Sequence, residues 1–201
     1  MANIQLLLLA AGASKRMGSP KQLLEWGNET LIEYQIKTLL DTDHPLSVVL
    51  GANSEEINSV INSLPIEIYK NEDWEQGMGG SIAFGVRQLL EIDSTIDGIL
   101  ISLIDQPLLT KVHFKKMLDL YRKGKGQIIV SHSKNGWLGA PVIFDKKYFD
   151  ELLKLEGDEG AKLITSKYKN SVQLIDGDEI LKDMDTPKVY NELLNIFNRR
   201  L

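Results

Sequence analysis

The segment Leu9-Ala10-Ala11-Gly12-Ala13-Ser14-Lys15-Arg16-Met17-Gly18-Ser19-Pro20-Lys21 joins small residues, two glycines and three cations directly after an apolar run. That composition suits a polyphosphate. Ala10, Ala11 and Gly12 let the backbone approach a nucleotide, and Arg16 and Lys21 can neutralise a triphosphate and the charge that builds on an attacked phosphorus. The segment is neither a Walker loop nor a G-x-G-x-x-G turn, and taken as composition alone it also fits a solvated basic loop.

Two carboxylate positions complete the chemistry. Asp105, in Leu103-Ile104-Asp105-Gln106-Pro107, follows an apolar run that reads as a strand, and a strand end fixes a metal ligand more rigidly than a mobile loop. An aspartate opening a turn before proline is the plainer alternative. In Asp183-Met184-Asp185-Thr186-Pro187 an extended backbone would point both aspartates to one face, where either could reach a metal or serve helix entry. A triphosphate loop with two separated carboxylates suits metal-assisted attack on an α-phosphate with pyrophosphate leaving, and needs no protein nucleophile.

The elements that must hold these residues alternate. Strands are expected at Ile4 to Leu9, Leu46 to Leu50, Ile66 to Tyr69, Ile99 to Leu103, Gln127 to Ser131, Pro141 to Phe144 and Ser171 to Ile175. The expected helices run from about Leu31 to Leu40, after a Ser54 cap, over Ser81 to Glu91 beyond a loop from Asn71 to Gly80, and after a Thr110 cap. Others are expected from Lys147 to Leu153, after Glu159, and from Thr186-Pro187. The Asn135-Gly136 pair marks a turn between two strands. Such βα alternation predicts an α/β fold with a mostly parallel central sheet covered on both faces, as one domain over residues 1–201, with ligands at the carboxyl ends of the strands.

Composition narrows the function classes. The 201 residues are 43% hydrophobic, which fits an ordinary globular core. There are no cysteines, which excludes disulfides, thiolate metal sites and cysteine nucleophiles. His44, His113 and His132 lack zinc-site spacing and read as structural, and Trp26, Trp74 and Trp137 read as packing residues. A net charge of −5 with dispersed cations argues against nucleic-acid binding, and no apolar run approaches a membrane span. The apolar run Ile4 to Ala11 has no basic leader, so a cytoplasmic protein is expected.

The first loop resembles the signature LAAGxSxRMGxPK of nucleotidyltransferases with a pyrophosphorylase-type, three-layer Rossmann-like fold, and matches it at each defined position. Within that group, residues 71–81, 139–144 and 157–162, with Asp-Gln-Pro and Asp-x-Asp-Thr-Pro, resemble the molybdenum cofactor cytidylyltransferases across nearly the whole chain. The resemblance implies that CTP and molybdopterin, or its molybdenum-loaded form, give molybdopterin cytosine dinucleotide and pyrophosphate, and that a molybdoenzyme is a client. It places Leu9, Ala10, Ala11 and Gly12 on the nucleotide, Arg16 and Lys21 on the phosphates, and Gly77 and Ser81 by the base or ribose. Asp105 and Asp185 would hold magnesium or manganese, and the Ala10-Ala11-Gly12 form resembles the cytidylyl rather than the guanylyl branch. Ala140 stands where the family often has His, and Lys188 where an acidic residue is common. The alternatives are cytidylyl transfer to another phosphorylated acceptor such as methylerythritol phosphate, guanylyl transfer to molybdopterin, and a non-catalytic cofactor carrier.

Overall fold

The computed structural model describes residues 2–134, 136–158 and 160–200. β1 (Ile4–Ala10) leads into the Gly-rich loop, and a small hairpin of β2 (Glu25–Trp26) and β3 (Glu29–Thr30) turns at Gly27, whose φ is +69°. Next comes α1 (Leu31–Leu40). Its start is fixed by a reciprocal capping box in which the Thr30 hydroxyl accepts from Glu33 N and the Glu33 carboxylate accepts from Thr30 N.

The chain continues through β4 (Leu46–Leu50), α2 (Ser54–Ile61), β5 (Glu67–Lys70), α3 (Met78–Ile92), β6 (Gly98–Leu103) and α4 (Lys111–Leu120). It closes with β7 (Ile128–His132), β8 (Leu138–Asp145), α5 (Phe149–Leu152), α6 (Lys162–Lys167), β9 (Val172–Asp176) and α7 (Pro187–Asn198). The seven-stranded sheet runs β5-β4-β1-β6-β8-β7-β9, and all neighbours are parallel except β8, which is antiparallel to both β6 and β7. β6 is the middle strand, as its continuous apolar run predicts.

The alternation of side chains along β1 divides the core. Leu6, Leu8 and Ala10 pack on one face with Leu31, Ile57, Phe114 and Leu193, while Leu7 and Leu9 pack on the other with Val86, Leu152 and Ile164. Helices therefore cover both faces of the sheet, making three layers. Burying each such leucine is worth roughly 1.5–3 kcal/mol, so β1 anchors both cores at once. Among the described residues, no helix is long and apolar enough to cross a membrane.

Three expected boundaries move. The cap of α2 is Asn53 in the left-handed region at φ 55°, not Ser54, because the short polar side chain of asparagine tolerates that conformation. α3 starts at Met78 rather than Ser81, so Gly79 and Gly80 lie in its first turn instead of a loop. The expected helix from Lys147 to Leu153 divides into a tight turn over Lys146–Tyr148, begun where the Asp145 carboxylate accepts from Lys147 N, followed by α5. Asn135 and Glu159 lie outside the described residues. Gly136, the second residue of the expected turn, has φ +88°.

His113 on α4 is the buried histidine of this frame. Its Nε2 lies 2.8 Å from Ser131 Oγ, which itself donates to Pro141 O at 2.8 Å, so the ring is the donor in this pair. Burial, then the Lys116 charge, hold its pKa down at about 4, with Asp176 opposing. Between about pH 6.5 and 4 the unfolded chain therefore binds a proton that the folded chain refuses, and stability falls on acidification. We expect His113→Gln to remove about 2 kcal/mol of the stability lost between pH 7 and 4.5, read from urea unfolding at both pH values.

Candidate active site

The loop after β1 is held from within. Gln22, fully buried, donates through Nε2 to Ala10 O at 2.8 Å and Gly12 O at 3.0 Å. The Ser14 hydroxyl donates to Gln22 Oε1 at 3.4 Å and accepts from Lys21 N at 3.1 Å. Ala52 N donates to Ala11 O at 3.0 Å, tying the loop to the end of β4. Gly51 permits that contact, since a Cβ there would lie 2.7 Å from Ala11 O and 2.5 Å from the Trp74 side chain.

Lys21 is the centre of the charge arrangement. Its side chain is only 10% exposed, and Nζ donates to Asp185 Oδ1 at 2.9 Å and lies 3.8 Å from Asp105 Oδ2. Arg16, largely in solvent, donates to the other oxygen of Asp185 at 2.9 Å. Burial would raise the Asp185 pKa, but the Lys21 hydrogen bond and charge, with Arg16, hold it below the ordinary carboxylate range.

Asp105 is placed by the sheet. Ile104 N donates to Leu9 O, which sets the end of β6 beside the end of β1, and Met184 N donates to Asp105 O at 2.7 Å, which draws the segment before α7 alongside. Burial pushes the Asp105 carboxyl up to about 6, with Lys21 opposing and Asp183 and Asp185 adding to the rise. Its Oδ1 is buried and has no hydrogen-bond partner.

That orphaned oxygen fits a divalent cation. Among the described residues no three carboxylate or imidazole groups converge as a ready cage, so Asp105 and Asp185 could supply two ligands, with phosphate oxygens and water completing the shell. This is the donor set that Mg²⁺ or Mn²⁺ takes in phosphoryl chemistry.

These groups line a cavity of about 750 Å³ together with Leu9, Ala11, Gly12, Gly77 and Ser81. Ala10 alone of the expected nucleotide-loop residues is not on the cavity wall, being fully buried with its carbonyl held by Gln22. Asp183 and Asp185 do not share a face. Asp185 lines this cavity, whereas Asp183 accepts from Gln106 Nε2 at 3.2 Å and lines a second cavity with Trp137 and Lys182.

Gly77 and Gly79 act through close approach. A Cβ on Gly77, whose φ is +99°, would meet Gly157 and Asp158 Oδ1 at 2.6 Å, and one on Gly79 would meet Glu156 O at 2.5 Å. Gly79 N donates to Gly157 O at 2.7 Å, so the start of α3 is clamped to residues 156–158. Ser81 Oγ accepts from the buried Asn71 Nδ2 at 3.1 Å, and Ser81, in the first turn of α3, lines the cavity. Trp74 also lines the cavity.

Sequence reasoning missed the roles of Gln22 and Gln106. Gln106 is fully buried, its backbone carbonyl accepts from Gln35 Nε2 at 2.8 Å, and its side-chain Nε2 donates to Leu181 O and Asp183 Oδ1. The available signal was an amide directly beside a candidate site charge, Lys21 before Gln22 and Asp105 before Gln106, where a buried amide must bond to something specific.

The family described as "MobA-like NTP transferase domain" matches residues 6–172. The chain is 33% identical over 94% of its length to the nicotine blue oxidoreductase of Paenarthrobacter nicotinovorans, covering 95% of that protein. It is 31% identical to the purine catabolism protein PucB of Bacillus subtilis, covering 92% of this chain and 93% of that protein. With the molybdenum cofactor cytidylyltransferase of Escherichia coli it shares 29% identity over 93% of each chain.

A carboxylate whose pKa is raised on folding contributes stability below its unfolded pKa, near 4, and loses it as pH rises through about 6. In metal chelator, Asp105→Asn should therefore match the parent near pH 4 and exceed it by about 1–2 kcal/mol at pH 7.5. Thermal unfolding across that range checks this. A variant less stable than the parent at pH 7.5 would mean that the Lys21 contact outweighs the cost of burial.

Proposed function

The chain belongs to the MobA-like NTP transferase family and is a nucleotidyltransferase, and from that premise we propose that it transfers CMP from CTP to molybdopterin or its molybdenum-loaded form. The observation that carries the reading is the Lys21–Asp185–Asp105 cluster at the carboxyl ends of β1 and β6, opening on a cavity large enough for a nucleotide. The acceptor rests on the relative from Escherichia coli; the relative named as an oxidoreductase points to another class, but a buried lysine between two aspartates suits phosphoryl chemistry.

In this reading the triphosphate lies along residues 9–16, with Arg16 and Lys21 opposite its charge. A phosphate oxygen of the acceptor attacks the α-phosphorus, forming one P–O bond as the bond to the β-phosphate oxygen breaks, and pyrophosphate leaves with that electron pair. Lys21 supports the charge that develops on the phosphates, and the buried walls fix the approach of the two reactants. A divalent cation, Mg²⁺ or Mn²⁺, held by Asp105 and Asp185 would offset charge on the α-phosphate and the leaving group. A molybdoenzyme client would receive the product.

Ala11 supports cytidine over guanine. Ala11 is 7% exposed and lines the cavity wall, at the position where the guanylyl branch, by the resemblance, typically has glycine and so more room. Ala11→Gly should lower the CTP-over-GTP preference in kcat/KM by about tenfold, a change on the scale of one methyl group's packing.

The direct test is pyrophosphate release from CTP, GTP and ATP with magnesium and molybdenum-loaded molybdopterin. We expect CTP-selective release, with Lys21→Ala and Asp105→Ala each lowering kcat on the order of 10²–10³-fold. No turnover despite tight pterin binding would overturn the enzyme reading in favour of a carrier. CTP binding without pterin turnover would reassign the acceptor.

A further inference from the structure

Gln22 satisfies its whole amide inside one loop. Its two N–H groups reach Ala10 O and Gly12 O, and its Oε1 accepts from the Ser14 hydroxyl, which in turn accepts from Lys21 N. The ring closes on the residue that carries the buried ammonium. In a trans peptide the N–H points opposite to the C=O, so holding the Gly12 carbonyl turns the Ala13 N–H away from Gln22. Among the described residues the amides of Gly12, Ala13, Ser14, Lys15 and Arg16 donate to no protein acceptor, and these five residues line the cavity. Successive unpaired amides of this kind form an anion-binding concavity. Ser14, at φ 53°, adopts a conformation that only Gly takes freely, so something must hold it there.

We propose that Gln22 is a positioning residue for nucleotidyl transfer: by holding the carbonyls of Ala10 and Gly12 it fixes the loop in the form that presents its amides, and Lys21, to the triphosphate. Gln22 lies beneath the loop and touches no reacting atom. The inference needs only the nucleotidyltransferase assignment and is independent of the acceptor.

Its test uses inorganic tripolyphosphate and Mg-CTP as probes, so it can succeed or fail whatever the fate of the molybdopterin reading. Titration calorimetry on the full chain would compare the parent with Gln22→Leu, which lacks both donors. The expected result is about tenfold weaker binding of both probes at unchanged stoichiometry, the scale of losing the net worth of one to two hydrogen bonds, with binding of CMP changed less than threefold. CTP turnover should show the same rise in KM. Unchanged Kd with a lowered melting temperature, or a fall in stoichiometry alone, would show that Gln22 merely stabilises the fold and would overturn the proposal. If Gln22→Leu does not fold, Gln22→Glu, close in shape but with acceptors facing the two carbonyls, carries the same two outcomes.

Discussion

One ammonium group organises this molecule's functional end. A lysine side chain that is nine-tenths buried calls for nearby counter-charge, and Lys21 finds it in two carboxylates from segments far away in sequence. Their meeting depends on the sheet. β1 and β6 are parallel neighbours with Leu9 opposite Leu103, and Asp105 follows two residues later. A one-residue slip in that register would exchange every side chain of β6 between the two cores, so hydrophobic burial on both faces is what fixes the charge geometry.

Another part of the cavity wall depends on a different constraint, the close approach of backbones. The start of α3 lies so near residues 156–158 that Gly77 and Gly79 leave no room for a Cβ. Gly85, on the same helix, lets it settle against Leu7 and Val49, where a Cβ would come within 3 Å of both side chains. One helix thus lines the cavity at its start and, a few residues on, packs over β1. The site and the core share the same supports.

Much of this was legible in sequence, and unevenly so. The strands and Asp105 could be read because apolar runs ending at a charged residue record burial followed by exposure. The start of α3 could not, because Gly79 and Gly80 read as breakers by propensity, whereas at Gly79 the close approach of Glu156 requires glycine. The αL cap at Asn53 and the separation of Asp183 from Asp185 were equally hidden: each depends on a backbone direction set by contacts that sequence spacing does not encode. Gln22 sits within a recognisable motif, yet its role appears only when its amide is seen to reach two carbonyls.

The distribution of unmet polar groups gives the site its logic. The buried oxygens without partners include Ser102 Oγ, Asp105 Oδ1, Gln106 Oε1 and, beneath them, Gln35 Oε1, gathered at the end of β6. Each is a cost to the fold, which a core packed on both faces of the sheet can offset. Asp185, by contrast, is satisfied twice over by Lys21 and Arg16. The protein alone is therefore an incomplete set of charges: two cations share one aspartate while a second aspartate has an oxygen in need of a partner. In the proposed reading, a triphosphate arriving with a divalent cation would supply both deficits together, since phosphate oxygens can take over the cations as the metal takes the carboxylates. Neither component alone does so, because the anion without the metal faces two aspartates and the metal without the anion faces a lysine and an arginine.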